Sequence, residues 1–443
     1  MTYFFETYGC QMNTAESAAL DLVLKERGWQ AAENGETADL VLLNTCSVRE
    51  TAEKRVLGRL AQYAALKKKR PFTLVVAGCM AQRLGEGLKE RAGAVDYVMG
   101  TSSRSVFPLI LEAVEQGKRE LHLSGEKPVF AFSSSHLEEG RFRSFVPIMH
   151  GCNNFCSYCI VPYVRGREIS RDPSSIKEEI RLLASRGVRE ITLLGQNVNT
   201  YRWEGEGGTL DFPGLLELAA RETEGSPIEW IRFLSANPKD FSRRTIEVMA
   251  GNRVFCRHLH LCVQHGSNRM LRAMNRRYTR ESYLDLAAEI RRAMPDVSLS
   301  TDILVGFPGE TEADLEETLS LMEEVRFLYA YMYHYNPREG TAACDLPGRI
   351  PEAAKRERLA RVIALQKRHT RELLENRIGM KENVLIEGIS RKNADELITR
   401  TEKDEMVVVS GSPSLIGSFA RVTLSSLRGN TFRSKEINLC LGD

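Results

Sequence analysis

The sequence predicts an α/β protein in three consecutive parts: an N-terminal doubly wound parallel sheet, a central partial (β/α)6 barrel and a small C-terminal antiparallel β-barrel. Three observations carry that prediction. At roughly 150 residues per domain, 443 residues are too many for one small module. Short β-type runs alternate with helix-length amphipathic runs as far as Tyr335, the signature of βαβ units and parallel sheets. Beyond Met380 the helical period is lost, and short β-type runs separated by turn residues take over.

Within residues 1–117, YFFET, DLVLLN, FTLVVA and AVDYVMG read as strands. Each precedes a helical stretch: AESAALDLVLKERG, RETAEKRVLGRLAQY, a helix over 82–91 and a last one ending at Gln116. Residues 118–142 have no helix-length apolar face and read as a linker. Residues 143–375 hold six further strands, at 144–149, 190–194, 228–234, 258–263, 298–305 and 327–335, with amphipathic helices such as SSIKEEIRLLASRG between them. Six units fall short of the eight that close a full barrel, so the barrel is open or partial, with active-site residues where its strands end. A helical run from Pro351 to Ile378 follows, with eight Lys or Arg against four Glu. In residues 376–441, NVLIEGI, ELITRT, MVVVSG and SFARVTLSSL are the strands of the small barrel.

Composition narrows the function. A hydrophobic content of 42% and a charged content of 27% fit a soluble globular chain. No apolar run reaches the roughly 18 residues of a membrane span, and the N-terminus lacks the basic and apolar regions of a secretory signal, which leaves the cytoplasm as the expected location. Ten cysteines in such a chain point to metal ligands or a catalytic thiol rather than a disulfide framework. The net charge of +2 nominates no nucleic-acid partner for the chain as a whole.

The most specific local feature is HGCNNFCSYCIVPYVRGRE, where Cys152, Cys156 and Cys159 follow the first barrel strand at C-x3-C-x2-C spacing. Soft thiolates select iron–sulfur clusters, zinc or copper(I). A structural zinc would need a fourth ligand, for which His150 is the neighbour available. Three other cysteines are dispersed: Cys10, Cys46 and Cys79 each follow a strand of the N-terminal sheet, about one βα unit apart. They therefore project from the carboxyl edge of one parallel sheet, where ligands bind. Three simply buried cysteines would be the bland alternative, but each stands past its apolar run, in a loop with Gly, Asn or Thr. Cys256, Cys262, Cys344 and Cys440 show no such clustering and read as packing or surface residues.

The C-x3-C-x2-C loop resembles the signature of the radical S-adenosylmethionine enzymes, and the VPYVRGRE that follows narrows the resemblance to the methylthiotransferases. That resemblance implies two 4Fe-4S clusters, one on Cys152, Cys156 and Cys159 and an auxiliary one on Cys10, Cys46 and Cys79. It implies S-adenosylmethionine as both radical source and methyl donor. Near the cofactor it implies Gln196, Asn197 and Asn199 of LLGQNVNTY, Gln264, Arg276 and Arg277 of MNRRYTRE, and Asp302 in STDILVGFPGETE. Gly306 and Gly309 of that turn would admit close backbone approach. Cys262 and His265 depart from the proline and serine common in related enzymes, and both departures fall near the expected pocket.

The last part resembles the TRAM domain, a small RNA-binding barrel, in RTEKDEMVVVSG and IGSFARVTLSSLRGN. From Met380 onward acidic and basic residues balance, so the basic surplus lies in the preceding helix, including Lys355, Arg358, Arg361, Lys367, Arg368 and Arg371. Those residues are expected either to bind phosphate or to form a solvated face. The QNVN segment is similar to the tRNA branch of the family. The implied activity is addition of CH3S to carbon 2 of isopentenylated adenosine at tRNA position 37. The implied partners are the tRNA anticodon stem-loop, an electron-donor protein and a sulfur source, with the chain acting as a monomer away from membranes. Threonylcarbamoyladenosine in tRNA or a ribosomal-protein aspartate is the alternative substrate, and a zinc-stabilised RNA-binding protein is the alternative from another class.

Overall fold

The computed structural model of the chain describes residues 1–47, 50–102, 104–118, 132, 141–205 and 208–439. Most of the expected linker at 118–142 and Cys440 lie outside the described residues. In the N-terminal part, β1 (Thr2–Thr7), β2 (Gln30–Ala31), β3 (Leu40–Thr45), β4 (Thr73–Gly78) and β5 (Tyr97–Met99) form one parallel sheet in the order β2-β1-β3-β4-β5. Alternation along the strands covers both faces. Leu40, Leu42, Val75 and Ala77 pack under α1 (Gln11–Glu26), while Val41, Leu43, Leu74 and Val76 face α2 (Glu50–Lys67). The helix expected over 82–91 starts earlier and is broken into α3 (Cys79–Leu84) and α4 (Gly87–Arg91), because Gly85 takes φ +53° and stops the first piece. A last helix, α5 (Phe107–Glu115), joins α1 on its face.

The central part contains the six expected parallel strands: β6 (Arg143–Pro147), β7 (Glu190–Leu194), β8 (Trp230–Phe233), β9 (His258–His260), β10 (Ser298–Val305) and β11 (Tyr329–His334). They form two ladders, β8-β7-β6 and β9-β10-β11, joined through the bridges Ile231↔Phe255 and Ala236↔Leu261. Outward residues such as Val146, Ile191, Ile231, Leu259 and Ile303 are buried in the core beneath the surrounding helices. Inward residues are largely polar and leave a lumen. Met12 and Ala15 of α1 close against Phe145, Leu194 and Leu234, which docks the N-terminal part onto the barrel.

The helix α7 (Glu312–Val325) packs beside α8 (Glu352–Glu375). Here the structure corrects the basic-face reading. Arg361 pairs with Glu312 and Glu316 of α7, Arg368 pairs with Glu323, and Arg358 pairs with Glu310. Lys355 is buried and donates to the Tyr335 carbonyl at 3.0 Å. Much of the basic surplus thus staples α8 to the barrel.

The C-terminal sheet follows, with β12 (Lys381–Ser390), β13 (Asn393–Thr401), β14 (Met406–Ser410), β15 (Phe419–Thr423), β16 (Ser426–Arg428), β17 (Thr431–Arg433) and β18 (Ile437–Leu439). All its pairings are antiparallel except β14 with β17. It docks on the barrel through Trp230 against Phe419, with ring centroids 4.8 Å apart and Cys256 in the same apolar cluster. Arg232 donates to the carbonyls of Glu402 at 2.8 Å and Thr401 at 3.0 Å.

Candidate active site

The compact triad sits on a loop that doubles back after β6. Gly151 has φ +79°, and a Cβ there would lie 2.0 Å from the Arg167 carbonyl oxygen, so the position admits only glycine. Cys152 N–H donates to the Gly166 carbonyl at 3.1 Å, and Cys159 N–H donates to the Cys156 carbonyl at 2.9 Å. The Asn275 amide clamps the loop from outside, donating to the carbonyls of Asn154 (3.2 Å) and Phe155 (2.9 Å). Burial pushes the thiol of Cys152 up to about 11 and that of Cys159 up to about 12, and the neighbouring sulfurs act in the same sense. A buried cation offsets this crowding, for Arg276 Nη1 lies 3.3 Å from Cys156 Sγ while Nη2 donates to the Cys262 carbonyl at 2.8 Å.

The dispersed triad depends on register. Thr7 pairs with Asn44 and Thr45 with Gly78, so three successive strands end at one edge. Cys10 caps α1, Cys46 follows β3 and Cys79 opens α3. Their loops touch: a Cβ on Gly9 would meet Cys46 Cβ at 2.6 Å and its Sγ at 3.1 Å. Asn13 ties the first two together, its amide donating to the carbonyls of Tyr8 (2.8 Å) and Thr45 (3.0 Å). Burial pushes the Cys79 thiol up to about 11, and the nearby Arg165 charge opposes the rise.

Arg165 links the two triads and was not identified from the sequence. It ends α6 (Val161–Arg165), directly after the compact triad. Its guanidinium donates to Glu16 at 2.6 Å and to Asn13 at 3.0 Å, both on α1 beside the dispersed triad. Ile160 and Val164 of the same segment pack on Cys79. Arg165 stands within VPYVRGRE, but nothing local reveals a partner 149 residues away. The donor set fits iron–sulfur ligation: two groups of three soft sulfurs, each with a buried arginine alongside whose charge opposes the upward push of burial on Cys159 and Cys79.

Both triads reach one cavity of about 1470 Å³, since Cys10 and Cys159 line it together. Much of the rest of its wall is the barrel interior, where alternate residues of the strands point inward, among them His260, Ser300, Asp302, Tyr331 and Tyr333, and Arg400 and Asp404 of the C-terminal sheet also line it. Gln264 lines it in the left-handed conformation, φ +68°, with its amide 3.5 Å from Asp302. Burial opposes ionisation of Asp302, but His260 beside it outweighs that and holds the carboxyl below its usual range.

The structure gives the other expected residues the following protein partners. Gln196 is turned to the loop, where its Oε1 accepts the Gly151 N–H at 2.6 Å. Asn197 is buried with its amide 3.3 Å from Asp240, and Asn199 makes a reciprocal pair with the Asn237 backbone at 2.7 and 2.9 Å. Of the two arginines, the buried Arg276 meets the cysteine loop, whereas Arg277 is exposed at φ +55°. Gly306 approaches Lys355, where a Cβ would meet its side chain at 2.5 Å, and Gly309 N–H donates to the Gly348 carbonyl at 2.8 Å. These glycines serve chain packing. His265 is fully buried among Glu310, Ser267 and Thr318, each 3.0 Å from a ring nitrogen, and belongs to the core.

Among the described residues no helix is long and apolar enough to cross a membrane. Three family models match in succession: the uncharacterized protein family UPF0004 over residues 2–100, the radical SAM superfamily over 146–322 and the TRAM domain over 376–435. A protein of Treponema denticola named tRNA-2-methylthio-N(6)-dimethylallyladenosine synthase is 50% identical, covering 98% of this chain and 99% of its own length. A Bacteroides fragilis protein of the same name is 44% identical over 98% of this chain and 95% of its own. Among solved structures, the radical S-adenosylmethionine methyltransferase TsrM of Kitasatospora setae superposes with a TM-score of 0.58 at 15% identity, covering 75% of this chain and 74% of that one. The likeness to TsrM is one of fold.

Proposed function

From the premise that the chain belongs to the family of tRNA-2-methylthio-N(6)-dimethylallyladenosine synthases, we infer that its two cysteine triads divide that reaction between them. The enzyme is a radical S-adenosylmethionine methylthiotransferase that adds CH3S to carbon 2 of isopentenylated adenosine at tRNA position 37. Its cofactors are S-adenosylmethionine and 4Fe-4S clusters, which when bound supply the electron, the radical and the sulfur that no side chain provides. An aromatic C–H has no acidic proton for an ordinary base, so side-chain acid–base catalysis is poorly matched to the step.

In this reading Cys152, Cys156 and Cys159 hold the cluster that meets S-adenosylmethionine, and Cys10, Cys46 and Cys79 hold the auxiliary one. Arg276 places a buried positive charge beside the first sulfur set, and Arg165 joins the loop of that set to α1 beside the second. Gln264 and Asp302 give the cavity its polar contacts to the cofactor, while Gln196 acts one step back by holding the Gly151 N–H. Asn197, whose amide lies near Asp240, and the exposed Arg277 complete the polar residues expected around the cofactor. The division into residues 1–117, 118–142, 143–375 and 376–441 gives each part a task, with the last gripping the anticodon stem-loop and placing Arg400 in the cavity wall. Residues 376–435 match the TRAM model, which supports the tRNA assignment. An electron-donor protein and a sulfur source act with a monomeric chain in the cytoplasm.

The observation that carries the reading is that Cys10 and Cys159, one from each triad, line the same cavity. The test is anaerobic incubation with isopentenylated and unmodified anticodon stem-loops, followed by nucleoside mass spectrometry. Methylthiolation of the isopentenylated substrate alone is expected, and equal reaction of both overturns the assignment.

A further inference from the structure

We propose that His260, Cys262 and Asp302 form a third metal site, which takes a single Zn2+ ion in the wall of the cavity. One ligand atom from each residue lies within 4.8 Å of the other two. His260 Nε2 and Asp302 Oδ2 are 3.5 Å apart. That is longer than a charge-assisted hydrogen bond of about 2.7–2.9 Å. It matches the edge of a zinc tetrahedron, roughly 3.3–3.8 Å when the bonds to nitrogen and oxygen are about 2.0–2.2 Å and the bond to sulfur is about 2.3 Å.

The surroundings fix the donors as they do around bound zinc. Ser300 Oγ lies 2.9 Å from His260 Nδ1, which orients the ring and leaves Nε2 toward Asp302 and Cys262. The same hydroxyl is 2.8 Å from His258 Nε2. Tyr331 stands edge-on to the His260 ring, with centroids 5.5 Å apart, and keeps it from swinging out. The backbone of Cys262 is held through its carbonyl by Arg276 (2.8 Å) and by the Tyr278 hydroxyl (3.1 Å). His260 ends its strand and Cys262 follows two residues on, and their ligand atoms meet that of Asp302 on the adjacent strand.

The chemistry narrows the ion. A set of imidazole, thiolate and carboxylate suits zinc, whereas hard cations such as Mg2+ or Ca2+ prefer oxygen alone. Three protein ligands with room for a fourth from the cavity is the pattern of an open zinc site. Cys262 belongs to neither triad, so the site needs none of the six sulfurs assigned above, and it does not rest on any cofactor role for Asp302.

The experiment uses the chain with both clusters assembled. After anaerobic exposure to ZnCl2 and desalting, zinc and iron are counted per chain, and the zinc shell is read by X-ray absorption. One zinc is expected with iron unchanged, its shell containing one sulfur at about 2.3 Å and the rest nitrogen or oxygen. Cys262→Pro should retain at least tenfold less zinc at the same iron content, and if that variant loses iron through misfolding, Cys262→Ser takes its place in the comparison. No retained zinc, equal zinc in wild type and variant, or a shell of three sulfurs accompanied by iron loss overturns the proposal. The last result would put zinc in the cysteine triads instead.

Discussion

The two cysteine triads reach similar arrangements by opposite routes. Cys152, Cys156 and Cys159 come from one loop whose geometry is set within a few residues, by the turn at Gly151 and the short contact between Cys159 and Cys156. Cys10, Cys46 and Cys79 come from three loops and meet only because β1, β3 and β4 pair in register. A local site survives changes elsewhere as long as its own loop is supported. A dispersed site inherits every fault of the sheet and of the contacts that hold α1 and α3. Arg165 shows how the two are joined, for it leaves the compact loop and is buried against α1.

The largest expected effect separates the triads outright. Cys156→Ala should abolish both S-adenosylmethionine cleavage and methylthiolation, whereas replacing Cys10, Cys46 and Cys79 together by Ala should leave cleavage within a few-fold and abolish methylthiolation. Identical profiles from product analysis of the two variants would erase the division of labour. Next in size is the link between them. Arg165 and Glu16 are each 3% exposed, and removing one partner of such a buried pair costs about 3–5 kcal/mol. Arg165→Met should therefore lower the unfolding free energy by that amount in urea titrations, and Arg165→Met with Glu16→Leu should recover much of it; a neutral single variant would mean that the triads are not coupled through this pair.

A smaller effect tests the local nature of the compact triad. Gln196→Ala leaves the Gly151 N–H without its acceptor, a loss of about 1–3 kcal/mol confined to that loop. Chelator should then strip about half of the iron faster than in wild type, with the dispersed cluster unchanged; uniform loss of all iron would contradict the separation. The smallest effect is a control remote from both triads. Asp314 is buried, which opposes its charge, but hydrogen bonds from Arg269, Thr311 and Ser267 outweigh burial and hold its carboxyl far below the usual range. Its folded value is depressed, so its stabilisation is present above about pH 4 and fades as pH falls toward the folded value. Asp314→Asn should cost about 1 kcal/mol at pH 7 through the capping box of α7, the gap should close in strongly acid solution, and iron content should not change. A gap that widens in acid reverses the assigned sign.

Much of this molecule was legible in one dimension. The C-x3-C-x2-C spacing identified the compact triad because its geometry is local. The dispersed triad was legible for a different reason: parallel strands of similar length end at one edge, so a cysteine just past each strand must share that edge. The six barrel strands followed from alternation of apolar and amphipathic runs, and their observed limits differ by a few residues. Single polar residues were harder. Arg276 and Arg277 are adjacent and chemically the same, yet only the first is buried beside a cysteine. Gly306 and Gly309 suggested a close backbone approach, and only the structure shows that Lys355 and Gly348 come against them. The basic helix suggested either phosphate binding or a solvated face, and only the structure shows that Arg361 and Arg368 meet carboxylates of α7.

The sequence by itself determined the three-part α/β order, the family and which six cysteines stand together in two groups of three, because these rest on periodicity and short spacings that a chain carries locally. Only the tertiary structure decided which polar side chains face the cavity, which are spent on packing, and that Arg165 ties the two triads together. The physical reason is distance along the chain. A partner such as Glu16 for Arg165, or Glu310 for Arg358, is chosen by how helices and strands pack, and no local pattern of residues contains that choice.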